Sequence, residues 1–341
     1  MPELQKDVPL NDLNTMGLHS IAPLYANIGS VEELNDLYEA GFFKEHTPFI
    51  LGGGSNIVLQ EKLKNPVLKI SIPGVEVIRE EGDDAFIRIG AGENWHNFVS
   101  WAVQNGYGGI ENLALIPGTV GAAPIQNIGA YGMELEDVFE SLLAFDLRKG
   151  SFKRFQKRDC LFGYRDSIFK GKLKNRVIVT EVILRLNIQN HEINLNYSGL
   201  KEDLEQKEIN KPSIRDIFEA VVAIRKSKLP DPAMIGNAGS FFKNPVIEKE
   251  MYEELHGRWP GMPAYPIDSR RVKVPAAWLI EQAGWKGVRS GNVGTYKNQA
   301  LVIVNHGGAT GKEVLEHSEK IQRSVSKQFG IRLTPEVNVV E

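Results

Sequence analysis

Apolar residues recur every three or four positions in several segments of the chain, and this spacing predicts amphipathic helices. In residues 30–41, Ser30 and Glu33 form the pattern of a capping box, and Gly41 ends the apolar stripe. Further helices with the same spacing are predicted over 95–103, from Ser213 to before Pro230, after Pro275, and after Thr310. The helices are distributed along the whole chain.

Short runs of β-branched and other apolar residues lie between these helices and predict strands. They cover residues 48–51, 57–59, 67–70, 75–79, 85–89, 141–147, 177–184, 300–304, 331–333 and 337–340. Two segments rich in small residues, 106–132 and 235–245, are predicted to be loops. Strands and helices do not alternate regularly, which favours an α+β fold over a doubly wound parallel sheet.

The amino-acid composition mainly serves to exclude classes of protein, such as proteins that bind nucleic acid. Charged residues make up 24% and apolar residues 42% of 341 residues, as in soluble globular proteins. Lys and Arg number 40 against 43 Asp and Glu, and the net charge of -3 gives no basic surface for nucleic acid. The single cysteine, Cys160, and the polar N-terminus predict a cytoplasmic protein without disulfides. The seven histidines lack metal-ligand spacing, so no metal site is expected.

Two glycine-rich loops are the strongest candidates for ligand binding. Residues 52–56 read Gly-Gly-Gly-Ser-Asn and would let backbone N–H groups converge on an anion, although a tight hairpin explains them equally well. The segment 117–132 is also rich in small residues. Two loops far apart in sequence could hold one long ligand, and a pyrophosphate-containing cofactor suits them better than a simple phosphate.

Two other glycine motifs match known nucleotide sites poorly. Gly90-Ala-Gly92 follows a strand and precedes a helix, but Trp95 occupies the place of the third glycine of a Rossmann fingerprint. The segment 307–312 resembles a P-loop, but His306 stands where the first glycine belongs.

Three polar residues are weaker candidates. Ser240 follows small residues and would serve either chemistry or the cap of a turn. Arg225 and Lys228 lie three residues apart near a helix end, so they suit a phosphorylated substrate or a solvated surface.

Taken together, the motifs resemble the MurB family of UDP-N-acetylenolpyruvoylglucosamine reductases. The resemblance rests on Asn14-Thr15 and on residues 51–56, 90–92, 116–121, 124–132, 163–167, 228–232, 236–245 and 333–336, in the order of the family. They span nearly the whole chain. Residues 196–200, Asn-Tyr-Ser-Gly-Leu, further resemble the tyrosine loop of the type I members.

The resemblance implies a fold and a division of the chain. It implies an α+β protein with an FAD-binding domain of the vanillyl-alcohol-oxidase (PCMH) type and a smaller C-terminal α+β substrate-binding domain. The expected parts are residues 1–70, joined by a C-terminal strand at 337–341, then 71–228, and a substrate domain at 229–336.

The resemblance also implies site residues, carried over position by position. The expected FAD-binding residues are Gly52, Gly53, Gly54, Ser55, Asn56, Pro117, Gly118, Thr119, Gly121, Ala122, Ile125, Gly129, Tyr131 and Gly132. The expected substrate-binding residues are Tyr197, Lys228, Asn244 and Gln299, with Arg225 added by proximity. Arg165 and Glu336 would act on the substrate carboxylate, and Ser240 would donate a proton. Where serine hydroxyls are expected near the FAD pyrophosphate, the chain has Ala122-Ala123, so those contacts would fall to backbone N–H groups and Thr119.

The activity implied is the NADPH-dependent reduction of UDP-N-acetylglucosamine enolpyruvate to UDP-N-acetylmuramate through bound FAD, a step in peptidoglycan synthesis and hence in cell shape and division. A cytoplasmic monomer without nucleic-acid or membrane partners is expected. Two alternatives stay open: an FAD oxidase of small alcohols or sugars, and a non-catalytic protein whose loops hold UDP or ADP. Arg225, Lys228 and Lys243 speak against the oxidase, and bound flavin would exclude the non-catalytic protein.

Overall fold

The computed structural model describes residues 1–341, apart from the side chain of Ser198. The chain divides into two compact units. The first comprises Met1–Val8, Ala22–Gly54 and Lys64–Ser227, and the second comprises Pro9–Ile21, Ser55–Leu63 and Lys228–Glu341. Two short N-terminal segments therefore belong to the same unit as the C-terminal third of the chain.

The regular elements are numbered in chain order. The strands are β1 (Gln5–Pro9), β2 (Ile21–Ile28), β3 (Phe49–Leu51), β4 (Ile57–Leu59), β5 (Val67–Ile70), β6 (Val75–Glu81), β7 (Asp84–Gly90), β8 (Gly129–Ala130), β9 (Met133–Glu134), β10 (Phe139–Asp146), β11 (Ser151–Gln156), β12 (Val177–Asn187), β13 (Gly236–Ser240), β14 (Val246–Glu248), β15 (Tyr265–Pro266), β16 (Arg271–Lys273), β17 (Arg289–Ser290), β18 (Val293–Thr295), β19 (Val302–Asn305) and β20 (Asn338–Val340). The helices are α1 (Val31–Glu39), α2 (Phe42–Glu45), α3 (Trp95–Gln104), α4 (Lys157–Cys160), α5 (Ser198–Gln206), α6 (Ile214–Lys228), α7 (Lys249–Arg258), α8 (Ala276–Gln282) and α9 (Gly311–Phe329). Short 3-10 helices include Glu111–Leu113 and Val120–Ile125.

The first unit contains two larger sheets. One has the order β1-β2-β5-β3, with β2 and β3 both parallel to β5, and its apolar face packs on α1 through Leu34 and Leu37. The other is antiparallel, with the order β11-β10-β12-β7-β6, and packs on α3 and α6. Trp95 and Phe98 from α3 are almost fully buried in that core. Helix α3 thus covers this sheet and leads along the chain into the second glycine-rich segment.

The second unit is built around the long helix α9. Val314, Ile321 and Val325 form its buried stripe, and Met16 and Val58 from the N-terminal segments join the same core. Its sheets have the orders β13-β19-β18-β17 and β14-β16-β15, and β20 pairs in parallel with β4. The N-terminal segments are therefore part of the hydrophobic core of this unit.

Helices with strong local signals are confirmed. The Ser30 hydroxyl accepts a hydrogen bond from the Glu33 N–H in α1, and Thr310 and Glu313 cap α9 reciprocally. Helices α3, α6 and α8 also begin within a residue or two of their predicted starts. In each case a capping or proline signal lies next to an apolar stripe, so the helix is specified locally.

Two predictions about the C-terminal part were wrong. Residues 236–240, expected to be loop, form β13, in which Gly236 pairs with Asn305. A Cβ on Gly236 would lie 2.2 Å from the Met16 carbonyl oxygen, so the small residues serve close packing rather than a turn. Residues 331–333, expected to be a strand, are buried at Ile331 and Leu333 but do not form one. Apolar alternation there reflects core packing without strand pairing.

The described residues contain neither a membrane-spanning helix nor a cluster of metal ligands. No helix among them is long and apolar enough to cross a membrane. No group of three or more His, Cys, Asp or Glu side chains in the described part of the chain is arranged to hold a metal ion.

Candidate active site

The two glycine-rich loops meet within the first unit. A Cβ on Gly52 would lie 2.8 Å from the Thr119 hydroxyl oxygen, and one on Gly53 would lie 2.6 Å from the Gly118 Cα. Backbone thus packs directly on backbone, which only glycine permits here. Gly54 and Gly118 also have positive φ angles of 64° and 125°, so successive peptide groups can turn their N–H groups to one side.

The Gly90-Ala-Gly92 segment supports the second loop. The Gly121 N–H donates to the Ala91 carbonyl at 2.9 Å, and the Val120 N–H donates to the Glu93 carbonyl at 2.9 Å. A Cβ on Gly92 would lie 2.3 Å from the backbone of Ser71. These glycines therefore allow chain segments to pass closely, in agreement with the poor match to a dinucleotide fingerprint.

Buried Asn127 organises the segment that follows the second loop. Its side chain is fully buried, and its amide donates to the Glu134 carboxylate at 2.8 Å and accepts from the Glu136 N–H at 3.0 Å. Nearby, the Ser167 hydroxyl donates to the Ile125 carbonyl at 2.6 Å. These bonds tie the turn at 163–167 to the second loop.

Arg165 is held in this turn. The Gly163 and Asp166 backbones exchange two hydrogen bonds, and Arg165 between them has a positive φ of 53°, which is costly for a residue with a Cβ. Its guanidinium donates to the Gly129 carbonyl, and Nη1 lies 3.8 Å from Glu134 Oε1. Burial raises the pKa of Glu134, and the Arg165 charge opposes this shift. Arg165 is thus a fixed cation with a carboxylate beside it.

Tyr131, Tyr197 and Arg225 form a second cluster in the same unit. The two tyrosine rings meet edge to face, with centroids 4.9 Å apart. Burial lowers the pKa of the Arg225 guanidinium, Tyr131 opposes the shift and the Arg165 charge adds to it. Within the described residues, Arg225 Nε is buried without a hydrogen-bond partner. A buried donor left without a partner in the protein is suited to an anionic or polar ligand.

Ser240 and Glu336 are brought together in the second unit. The Glu336 N–H donates to the Phe241 carbonyl at 2.8 Å, and the Lys243 N–H donates to the Thr334 carbonyl at 2.9 Å. Residues 241–243 therefore run alongside 334–336. Ser240 is exposed at the end of β13, and the backbone at Glu336 is also tied to Asn56, whose amide donates to the Glu336 carbonyl at 3.4 Å.

The other expected substrate residues lie in the second unit with clear local contacts. Asn244 Oδ1 accepts from the Ala276 N–H at 2.9 Å and so caps the start of α8. Gln299 Oε1 accepts from the Leu301 N–H at 3.3 Å. Lys228 is exposed at the end of α6. The candidate residues thus fall into two groups, one in each unit.

Sequence reasoning missed Glu134, Asn127 as an organising residue, and Lys69. Asn127 and Glu134 lie in or beside the quoted segment 124–132, but nothing in the sequence reveals that one holds the other. Lys69 sits in a short apolar strand, where a charged residue is unexpected. That interruption is the signal that could have drawn attention to it.

The chain was compared with known proteins. Residues 231–340 match the C-terminal domain of UDP-N-acetylenolpyruvoylglucosamine reductase, and residues 22–156 match an FAD binding domain. The reductase of Flavobacterium johnsoniae is 46% identical over 338 residues, covering 99% of this chain and 100% of the relative. The chain belongs to the UDP-N-acetylenolpyruvoylglucosamine reductase family. The family's Pseudomonas aeruginosa reductase is 42% identical, with 99% of each chain covered.

The fold agrees with that family. The crystal structure of the reductase (MurB) from Thermus caldophilus matches with a TM-score of 0.69 at 25% identity and covers 100% of both chains. The predicted family and the α+β class with an FAD-binding domain and a C-terminal domain are therefore confirmed.

Proposed function

We propose that the protein catalyses the NADPH-dependent reduction of UDP-N-acetylglucosamine enolpyruvate to UDP-N-acetylmuramate with FAD as the bound cofactor. The observation that carries this proposal is the identity of 46% along 99% of the chain with a named reductase of this family. It is an FAD-dependent oxidoreductase, and NADPH is its reductant.

The first unit suits FAD in a specific way. The contact between Gly52, Gly53 and Gly118 leaves backbone N–H groups free of covering side chains, as a diphosphate requires. We assign the cofactor to residues 52–56, 117–119, 121–122, 125, 129 and 131–132. When bound, FAD supplies hydride transfer from NADPH to the substrate's double bond.

The chain's own residues then have to stabilise charge on the substrate. Hydride addition to the terminal vinyl carbon moves negative charge into the adjacent carboxylate. Arg165, fixed by its turn and by the Gly129 carbonyl, supplies a positive charge for that carboxylate, and protonated Glu336 donates a hydrogen bond to it. Groups that are already fixed before the reaction lose little energy in reorganisation, so they stabilise the developing charge efficiently.

Ser240 completes the reaction by giving its hydroxyl proton to the α carbon. A serine hydroxyl is a weak acid at neutral pH, but the enediolate carbon is a strong base at that moment. Tyr197, Arg225, Lys228, Asn244 and Gln299 are assigned to the UDP-sugar. For Asn244 this role would compete with its bond to α8.

We also propose the roles of the domains and the state of the protein. Residues 1–70 with strand 337–341, and residues 71–228, would bind FAD, and residues 229–336 would bind the substrate. The break between Ser227 and Lys228 and the family match at 231–340 support the last division. A cytoplasmic monomer serving cell-wall synthesis is expected, and light scattering of the purified protein measures the mass directly.

The experiment that tests the function is an absorbance titration. Purified protein should be yellow, bleach on anaerobic addition of NADPH, and recover its colour on addition of UDP-N-acetylglucosamine enolpyruvate. Bleaching without recovery would contradict the substrate and would favour an oxidase. A colourless protein that takes up no added FAD would contradict the enzyme altogether and favour the non-catalytic alternative.

A further inference from the structure

A lysine ammonium lies directly against the first glycine loop. Lys69 is in β5, where it pairs in register with Leu51 of β3, the last residue before the loop. Its side chain lies on the sheet face opposite the apolar core formed by Leu68 and Ile70, and its ammonium donates to the Gly52 carbonyl. Strand pairing therefore determines the position of this cation relative to the loop.

The environment of Lys69 does not supply a counter-charge. Among the residues that the structure describes, no carboxylate lies within the 4.0 Å ion-pair distance of its Nζ atom. Burial lowers the pKa of Lys69, because the ammonium loses hydration. A partly buried cation without an anionic partner is unfavourable, and a bound anion would relieve that cost. The ammonium also has three N–H donors, more than one carbonyl requires.

Neither glycine-rich loop, 52–56 or 117–132, contains a positively charged residue. Their polar side chains, such as those of Ser55, Asn56 and Thr119, are uncharged. Amide dipoles stabilise an anion only partly, and a diphosphate carries full negative charges. A full positive charge at the point where the loops meet would therefore come from outside them, and Lys69 lies on the adjacent strand.

We propose that Lys69 is the residue that supplies the positive charge for the FAD diphosphate, while its bond to the Gly52 carbonyl fixes the first glycine loop. This inference rests on the proposed function in that FAD is the ligand. It goes beyond it by adding a cofactor-binding residue outside both glycine loops.

The test is a titration of FAD into the apoprotein, in which the quenching of flavin fluorescence reports binding. Lys69→Met should weaken FAD binding by about tenfold to a hundredfold, the range for losing a hydrogen bond to a charged group. Lys69→Arg keeps the charge and should stay within about threefold of the parent. Lys62→Met, at an exposed lysine of a neighbouring segment, is the matched control and should bind FAD like the parent.

A role in charge, as distinct from loop stability, has its own readout. Added salt should weaken FAD binding more steeply in the parent protein than in the Lys69→Met variant, because the variant has lost one charge interaction with FAD. The apoprotein melting temperatures of the parent and the variant should stay close. If Lys69→Met does not fold, Lys69→Gln, which keeps a donor for Gly52 without the charge, takes its place in both measurements.

Three outcomes would overturn the proposal. FAD affinity of Lys69→Met or Lys69→Gln within about twofold of the parent would show that the charge is not used. Equal losses for Lys69→Arg and the neutral variant, with lower melting of both apoproteins, would assign the residue to structure alone. If the salt dependence of FAD binding were the same in the parent and in Lys69→Met, the residue would likewise be assigned to structure alone. Failure of the parent itself to bind FAD would instead contradict the proposed function.

Discussion

The glycine loops of the first unit and the segments around Ser240 and Glu336 in the second unit are built by opposite means. In the first unit, Gly52, Gly53 and Gly118 let one loop pack closely on the other because they lack side chains, and the proposed FAD site there consists largely of backbone groups. In the second unit, the roles proposed for Ser240 and Glu336 depend on their side chains, and backbone bonds such as that from Glu336 to Phe241 bring their chain segments together. A backbone surface suits a diphosphate common to many reactions, whereas side chains suit the chemistry of one substrate.

This contrast predicts different responses to mutation. Removing a side chain should matter most at residues such as Ser240 and Glu336, whose proposed roles depend on the side chain. Adding a side chain should disrupt the glycine loops, because Gly52 and Gly53 have no room for one.

Ser240→Ala should slow turnover by at least about a hundredfold, as expected for a lost general acid. Reduction of FAD by NADPH should stay near normal, because the serine acts only on the substrate. Stopped-flow absorbance separates the two half-reactions. Ser290→Ala, an exposed serine in the same sheet, is the control and should leave both unchanged. Equal slowing of both half-reactions by Ser240→Ala would count against a proton donor.

Gly53→Ala should destabilise the protein by up to about 3 kcal/mol and weaken FAD binding, since the new Cβ would lie 2.6 Å from the Gly118 Cα and push the loops apart. Chemical denaturation and FAD titration measure the two effects. The matched control is Gly257→Ala in α7, where a Cβ meets nothing within 4 Å and should stabilise the helix slightly. Unchanged FAD affinity of Gly53→Ala would mean that loop contact is not needed for binding.

The second unit should lose stability in acid through His317. This side chain is buried, and burial lowers its pKa to about 4, so the folded protein keeps it neutral while the unfolded chain takes up a proton near its ordinary pKa. Stability is therefore present above the unfolded pKa and is lost as pH falls towards 4, by about 3 kcal/mol. His317→Gln, which cannot titrate, should flatten this pH dependence in denaturant titrations. An equally steep dependence in the variant would assign the acid loss to other groups.

Asn244→Ala should cost about 1 kcal/mol of stability, because the α8 N–H at Ala276 loses its acceptor. Asn244→Asp keeps an acceptor and should be nearly neutral in the same thermal melts. A large loss of turnover with no loss of stability in Asn244→Ala would place the residue in the substrate site alone. Comparing stability with turnover in the Asn244 variants, where the smallest effect is expected, tests whether this side chain serves both structure and binding.

Local signals predicted much of the fold. Helices α1 and α9 carry capping residues beside an apolar stripe, so neighbours in sequence suffice to define them. Strand β13 was predicted as a loop because its partner strand, around Asn305, lies more than sixty residues away and because its small residues resemble those of a turn. Burial at Ile331 and Leu333 was detected correctly, but burial alone does not determine strand pairing.

In the candidate site, too, local sequence signals could be recognised, whereas contacts between distant residues could not. The glycine loops could be recognised because glycine itself is the signal, and their meeting was anticipated as a shared ligand. The bond from Asn127 to Glu134 and the placement of Lys69 against Gly52 arise only from folding. The apolar strand around Lys69 marks this lysine as unusual, but the sequence does not reveal which loop its ammonium contacts, so these contacts required the structure.

The pairing of β20 with β4 has a consequence for how the protein is made. Ile57 pairs with Asn338, so β4 leaves the ribosome some 280 residues before its partner exists. At about 5 to 20 residues per second, β4 waits on the order of 15 to 55 s as an apolar strand without its neighbour. The second unit is therefore the part of the nascent chain that is exposed longest to aggregation, and chaperone dependence should be concentrated there.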